Sequence, residues 1–270
     1  DAVGRIGKWN GVKGVQIDTD YIRMDSYWSV VPVFLSKWKT SQPSDIRWAL
    51  SFADYTYNSK KQQVKIWDGH TFEDAMRAEP DSEGRLKLVG LYPAKWDLIK
   101  YADTYLSDAN YTNTNWYLLR YSDVLLLYAE ALNELNNAPT PDAYVAINKV
   151  RRRAGLPELS GLSYEEFRQA VRDERSYELC FEGHRKQDLI RWGIYYETIK
   201  QTRLEMTGWH EEALDYYLVG EYTVKGKHEL LPIPQRELDL MENCVQNPNR
   251  IQGISCFAVL QPDIGIHRCH

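Results

Sequence analysis

The chain has 270 residues, 43% of them hydrophobic and 26% charged, with a mean hydropathy of −0.54, so it reads as soluble and globular with one large core or two small ones. A formal net charge of −5 argues against a nucleic-acid partner. The four cysteines (Cys180, Cys244, Cys256 and Cys269) are too few and too scattered for a disulfide framework.

From Asp1 to about Asn115 the chain is irregular, with turn signals at Asn10-Gly11, Asp68-Gly69 and Glu83-Gly84 and prolines at 32, 43, 80 and 93. The β-prone run Val30 to Leu35 predicts a strand or extended loop, and no long helix is assigned in this region. That run, broken by Pro32, is far too short to span a bilayer. The opening string DAVGRIGKWNG has no apolar h-region and no initiator Met, so the chain is expected to be cytosolic or a piece of something longer.

From Trp116 the pattern turns helical. WYLLRYSDVLLLYAEALNEL is apolar around most of its circumference, which predicts a helix buried on several sides, with Arg120, Asp123, Glu130 and Glu134 on a polar face. Thr140-Pro141 predicts the next helix start, and Ala143, Ala146, Ile147, Val150 and Ala154 form its stripe before Gly155 ends it. The basic run Lys149, Arg151, Arg152 and Arg153 reads as a solvated helix end suited to the helix dipole. A third helix begins at Ser163, whose capping box Glu166 completes, and runs to Gly183.

A fourth helix, from about Arg185, carries Leu189, Trp192, Tyr196 and Ile199 on one side, with Gly193 weakening its middle. Trp116 and Trp192 read as helix-borne core. Short links favour antiparallel hairpins, but starts near 116, 141, 163 and 184 give no constant repeat. Beyond Lys200, YYLVGEYTV and KHELLPIP read as extended, and Arg236 to Glu242 as a short helix. The fold class is thus mainly α, a helical-hairpin scaffold with irregular loops and short strands. Its regions are a loop-rich part over 1–115, a scaffold with its closing segment over 116–250, and a tail over 251–270.

The densest polar group is Glu174, Arg175, Glu178, Glu182, Arg185, Asp188 and Arg191. Two carboxylates beside an apolar stripe would suit a glycosidase acid and nucleophile. They would equally suit a network in which Arg175, Arg185 or Arg191 locks the helices together. The structural reading is favoured, because a paired Arg keeps a carboxylate ionised and leaves no proton donor. There is no G-x-S-x-G, H-E-x-x-H, P-loop or dinucleotide fingerprint, and His70, His184, His210 and His228 are isolated in sequence. No enzyme, cofactor or metal is expected, the ending His267-Arg268-Cys269-His270 included.

These strings resemble the SusD/RagB family. Leu119-Arg120-Tyr121-Ser122-Asp123-Val124 and Tyr128-Ala129-Glu130-Ala131-Leu132-Asn133-Glu134 are similar to its central helix, and Asn148-Lys149-Val150-Arg151 with Arg153-Ala154-Gly155-Leu156 to the next. Its most specific block is matched by Glu174-Arg175, Glu178-Leu179, Phe181-Glu182-Gly183-His184-Arg185, Asp188-Leu189 and Arg191-Trp192-Gly193. Leu231-Pro232-Ile233-Pro234, Gln246-Asn247-Pro248 and, upstream, Asp45-Ile46-Arg47 complete the resemblance in order.

The resemblance implies tetratricopeptide-like helix pairs in a lipid-anchored protein on the external face of a bacterial outer membrane. Such a protein binds an oligosaccharide or other nutrient without cleaving it and closes over a SusC-like TonB-dependent transporter. Members are longer, with a lipoprotein signal and earlier helix pairs. A fragment would therefore expose apolar surface where those helices belong. The continuation from Arg250 to His270 is unlike the family.

Aromatic content is high, at 9 Trp, 19 Tyr and 6 Phe, and such rings match the C–H faces of sugars. Ligand contacts are expected before the Asp45 element, from Trp9, Tyr21, Tyr27, Trp28 and Trp38, with Arg23 and Asp25 as hydroxyl partners; core packing of these rings is the competing reading. Two alternatives stand beside glycan capture: a tetratricopeptide-like adaptor for peptide or protein, and a glycoside hydrolase using Glu174 and Glu178.

Overall fold

A computed structural model describes residues 6–17, 22–24, 30–65, 79–80, 86–87, 91–101, 114–207, 218–241 and 244–247. The tail over 251–270 lies outside the described residues. The protein is mainly helical, with short strands in its first part. Ahead of residue 114 the helices are α1 (Ile6–Asn10), α2 (Pro32–Ser41), α3 (Arg47–Ser51) and α4 (Leu98–Tyr101).

Between them, β1 (Gly14–Ile17), β2 (Ile22–Met24), β4 (Tyr55–Tyr57) and β5 (Gln63–Lys65) form a sheet ordered β2-β1-β4-β5. The β1–β4 pair is parallel and the others antiparallel. β3 (Phe52–Ala53) pairs with the late strand Tyr92–Pro93, Phe52 opposite Pro93. Glu79–Pro80 and Leu86–Lys87 form a third, two-stranded sheet.

The run from Val30 to Leu35 is not a strand: helix α2 starts inside it. Pro32 stands in the first turn, where its missing N–H costs nothing and its fixed φ suits a helix, so it starts this element rather than breaking it. Leu35 and Trp38, one turn apart, then reach a buried cluster with Val30, Phe52, Leu91, Tyr177 and Cys180. This cluster draws on chain segments on both sides of residue 115.

The larger helices follow: α5 (Tyr121–Asn136), α6 (Pro141–Arg153) and α7 (Tyr164–Glu178), each packed on the other two. Leu126, Ala129, Ala143, Ala146, Ile147, Val150, Phe167 and Val171 close their shared core. Burying each large apolar side chain there stabilises the unit by about 1.5–3 kcal/mol. Thr140 Oγ1 accepts from the Ala143 amide, and the Ser163–Glu166 capping box is complete, as the sequence predicts. The Leu156 amide donates to the Arg151 carbonyl and the Gly155 amide to that of Arg152, closing α6 with a left-handed Gly155.

Several expectations for this half need correction, the third helix ending at Glu178 rather than Gly183 among them. The central helix starts at Tyr121, not Trp116, because Arg120 is held extended with its side chain drawn into ion pairs. It is not buried on several sides: Tyr121, Val124, Leu127, Tyr128 and Leu135 are exposed. The fourth helix is two, α8 (Arg185–Arg191) and α9 (Tyr195–Thr207), because Gly193 takes φ +70° and its amide and that of Ile194 cap the carbonyls of Ile190 and Leu189.

Within YYLVGEYTV the chain forms a helical turn, α10 (Leu218–Tyr222), rather than an extended run. Lys200 Nζ caps it by donating to the carbonyls of Gly220 and Glu221 at 2.8 and 2.9 Å. The short helix near 236 is present as α11 (Gln235–Leu240). No helix among the described residues is long and apolar enough to cross a membrane.

Candidate functional site

A cleft of about 780 Å³ opens where residues 46–51, 95–101 and 114–120 meet the last turns of α6 and α7. Its floor is a network of charges. Asp45, buried beside the cleft, accepts from Trp38 Nε1 at 2.8 Å and from Arg47 Nη2 at 2.7 Å. Arg47 Nη1 reaches forward to Glu174 at 2.7 Å and Glu178 at 2.9 Å. Arg151 holds the other Glu174 oxygen at 3.1 Å. Glu178 also accepts from Arg120 and Arg153, and Glu182 from Arg120 at 2.6 Å and Lys95 at 2.7 Å.

The sequence places these groups by simple rules. Glu174 and Glu178 are one helical turn apart on α7, so both meet the same guanidinium of Arg47. Arg151 and Arg153 come from the last turn of α6, where cations suit the dipole. The expectation of a solvated helix end therefore fails for Arg151 alone of the four basic residues, although Arg153, still exposed, is also drawn into an ion pair. Arg151 is buried and Arg153 pairs with Glu178, while Arg152 pairs with Glu158 in solvent.

Burial alone would raise the Glu178 carboxyl, but Arg120, then Arg153 and Arg47, outweigh it and hold the group down at about 2. Burial pushes Glu174 up while Arg47 and Arg151 pull it back, and Glu174 does not line the cleft. Neither carboxyl is therefore placed as a proton donor to a molecule in the cleft: one is ionised and the other is out of reach.

A second network lies apart from the cleft. Arg175 takes Asp188 with two parallel bonds, at 2.8 and 3.0 Å, and Asp123 at 2.7 Å. Arg191 joins Asp188 to Glu130, which also accepts from Trp192 Nε1 at 2.7 Å. The seven polar residues singled out in the sequence thus divide. Glu174, Glu178 and Glu182 are held by Arg47, Lys95, Arg120, Arg151 and Arg153, not by Arg175, Arg185 or Arg191. Among the described residues Arg185 forms no salt bridge with a carboxylate; it donates to the Arg172 carbonyl at 3.4 Å and stacks over Trp192.

Tyr101, Tyr117 and Tyr177 line the cleft, and Trp96 packs behind Tyr117. Trp96 is fully buried, with Nε1 donating to the Phe181 carbonyl at 3.1 Å. Trp116 stacks on it in parallel, with centroids 5.3 Å apart, and Tyr117 tilts against it at 5.1 Å. Gly183, at φ +86°, leaves room for the Trp116 ring, which an added Cβ would meet at 3.0 Å. Trp116 is therefore neither helical nor core, as read from sequence: it is exposed, as are Tyr117 and Tyr101. Trp192, half-buried at the C-cap of α8, lies beside the second network.

Of the residues expected to meet ligand, Trp38 is a core residue, fully buried and stacked on Tyr177 with centroids 4.8 Å apart, so it cannot offer a face to a sugar. Trp9 is exposed on α1. Tyr21, Asp25, Tyr27 and Trp28 lie outside the described residues, as does the side chain of Arg23 on β2. Sequence reasoning missed Lys95, Tyr101 and Tyr117, which no motif marks. Arg47, Arg120 and Arg153 stood inside recognised strings, but their convergence on Glu178 is a long-range fact. Among the described residues no three His, Cys, Asp or Glu gather as metal ligands.

A model of the SusD family matches residues 37–249. A SusD-like protein of Formosa agariphila is 39% identical over 130 residues, which are 47% of this chain and 22% of that protein. The starch-binding protein SusD of Bacteroides thetaiotaomicron is 28% identical over 158 residues, 58% of this chain and 26% of that protein. The crystal structure of a SusD homolog from Bacteroides thetaiotaomicron is 47% identical, with a TM-score of 0.79 over 92% of this chain and 48% of that one. The chain thus spans about half the length of that solved relative.

Proposed function

Because the chain belongs to the SusD family, we propose that it captures glycan without cleaving it, at the cleft over Glu178 and Glu182. The observation that carries this reading is the pairing of exposed rings with fully engaged carboxylates. Tyr101 and Tyr117 offer apolar faces beside hydrogen-bonding groups, the combination a sugar ring requires. Hydrolysis would need one carboxyl to hold a proton over the substrate, and three arginines keep Glu178 ionised.

The finer reading follows from family membership. In the whole protein this capture takes place on the external face of the outer membrane, by a lipid-anchored subunit that passes its ligand to a SusC-like TonB-dependent transporter. Starch is what the Bacteroides thetaiotaomicron relative is named for, and a polysaccharide is the ligand class proposed here.

The test is native affinity electrophoresis in gels holding single soluble polysaccharides, with each incubation also assayed for released reducing ends. One glycan class should retard the chain without release, and Tyr117→Ala should weaken that retardation several-fold, from loss of about 1 kcal/mol of stacking. Release of sugar that Glu178→Gln abolishes would overturn the capture reading. Retardation untouched by Tyr117→Ala would move the site away from this cleft.

A further inference from the structure

The cleft sorts its charges by depth. Its two carboxylates are buried, the Glu178 and Glu182 side chains being 2% and 1% exposed, and every oxygen on them accepts from a guanidinium or ammonium. The cations lie nearer the solvent: Arg153 is 60% exposed, Arg120 24% and Lys95 18%. With Arg47, four cations line the cleft against two carboxylates; with Asp45, Glu174 and Arg151 behind them, the network still holds five cations against four carboxylates, on a chain whose formal net charge is −5.

The donors are not all spent. A guanidinium carries five N–H groups, and Arg153 uses one on Glu178. Lys95 gives two of its three, to the Glu178 carbonyl and to Glu182. Thr114 Oγ1, on the same lining, is buried with no hydrogen-bond partner among the described residues.

We propose that this cleft takes an acidic glycan, with an oxyanion on the sugar, a uronate carboxylate or a sulfate ester, seated against Arg153 and Lys95. Resting on the capture reading above, this names its ligand class. A carboxylate or sulfate matches the unspent donors of Arg153 with charge-assisted hydrogen bonds, whereas a neutral hydroxyl offers them only a weaker acceptor. The tyrosines at 101 and 117 then meet the C–H faces of the same or the adjoining sugar ring. Because the chain as a whole is acidic, general attraction to polyanions does not account for such binding.

The experiment compares retention of the full chain in native gels holding polygalacturonate, dextran sulfate or neutral dextran. At least one acidic polymer should retard it more than dextran does, and which one distinguishes carboxylate from sulfate. Arg153→Gln should weaken acidic retention about tenfold, the loss of one charge-assisted hydrogen bond. Arg153→Lys, which keeps the charge, should recover part of it. Lys149→Gln, the same charge change on α6 away from the cleft, should change nothing.

On the unaltered chain, added salt should release the acidic polymer, an outcome that needs no variant to fold. Equal loss in Lys149→Gln, or retention indifferent to salt, would overturn the acidic ligand. Dextran retarding the chain as well as either polyanion would overturn it too, and leave glycan capture standing. No retention by any polymer would sink both.

Discussion

In the hairpin unit α5–α7, Leu126, Ile147, Phe167 and Val171 close an apolar core, and α6 and α7 are fixed by caps from residues beside their N-termini. The junction between that unit and the first part of the chain is closed differently. There Arg47, Lys95 and Arg120 reach across 58 to 131 residues of sequence to meet Glu174, Glu178 and Glu182. Apolar contacts tolerate small shifts, whereas buried ion pairs demand that every partner be present and well placed. The hairpin unit therefore owes its stability to volume, whereas the junction adds a charge network to the apolar cluster around Trp38 and Tyr177. The candidate site lies at the junction, where charged side chains with solvent-facing edges line a cleft.

Phe167→Ala makes the largest break in the apolar half. It removes a fully buried ring and should destabilise the chain by about 3–5 kcal/mol in equilibrium urea unfolding. Its effect should be equal at pH 7 and pH 4, since no titrating group is lost. A loss under ~1 kcal/mol would mean that the unit does not depend on this core.

Glu178→Gln tests the other half. It leaves Arg47, Arg120 and Arg153 short of a carboxylate and should cost about 3 kcal/mol at neutral pH. Its pH dependence follows from the sign of the shift. The folded carboxyl is held down at about 2, below its value in the unfolded chain. Its contribution is thus complete above the ordinary glutamate range and is lost as pH falls from there towards about 2. The substitution should flatten that acid limb of the stability curve, whereas Phe167→Ala should lower the whole curve without changing its slope. An unchanged acid limb would show that the network is not what titrates.

Thr140→Ala is the smallest of these changes. It removes one cap bond, from the Ala143 amide, and should cost about 1 kcal/mol in the same unfolding assay. An effect as large as that of Phe167→Ala would mean that the α5–α6 link, rather than the core, governs the unit.

Much of the hairpin unit was legible because its signals are local. Thr140-Pro141, the Ser163–Glu166 box and the left-handed Gly155 each act over a few residues, and the stripe from Ala143 to Ala154 repeats at the helical period. The failures share a cause. The run around Pro32 has strand propensity but becomes helical once Leu35 and Trp38 find partners in Tyr177 and Cys180, far along the chain. Gly193 looked like a weak point inside one helix, yet its neighbours' amides find better acceptors in a left-handed turn. In the site, the carboxylates were visible as a dense acidic and basic string. Their true partners were hidden, because periodicity ranks neighbours on one helix and is silent about which guanidinium arrives from elsewhere.

By itself the sequence determined that the stretch from Tyr121 to Thr207 is helical, the caps at Thr140, Gly155 and Ser163, the family, and, as the favoured reading, the engagement of the Glu174 and Glu178 carboxylates by arginine rather than in catalysis. Capping and amphipathic period are written in adjacent residues, so no knowledge of the rest of the chain is needed to read them. Only the tertiary structure decided which arginines hold Glu178, that Trp38 is core while Tyr117 is exposed, and that a cleft with shallow cations and deep carboxylates forms between them. Those facts depend on distances between groups up to 131 residues apart, and such distances are set by packing the whole core, not by any string within it.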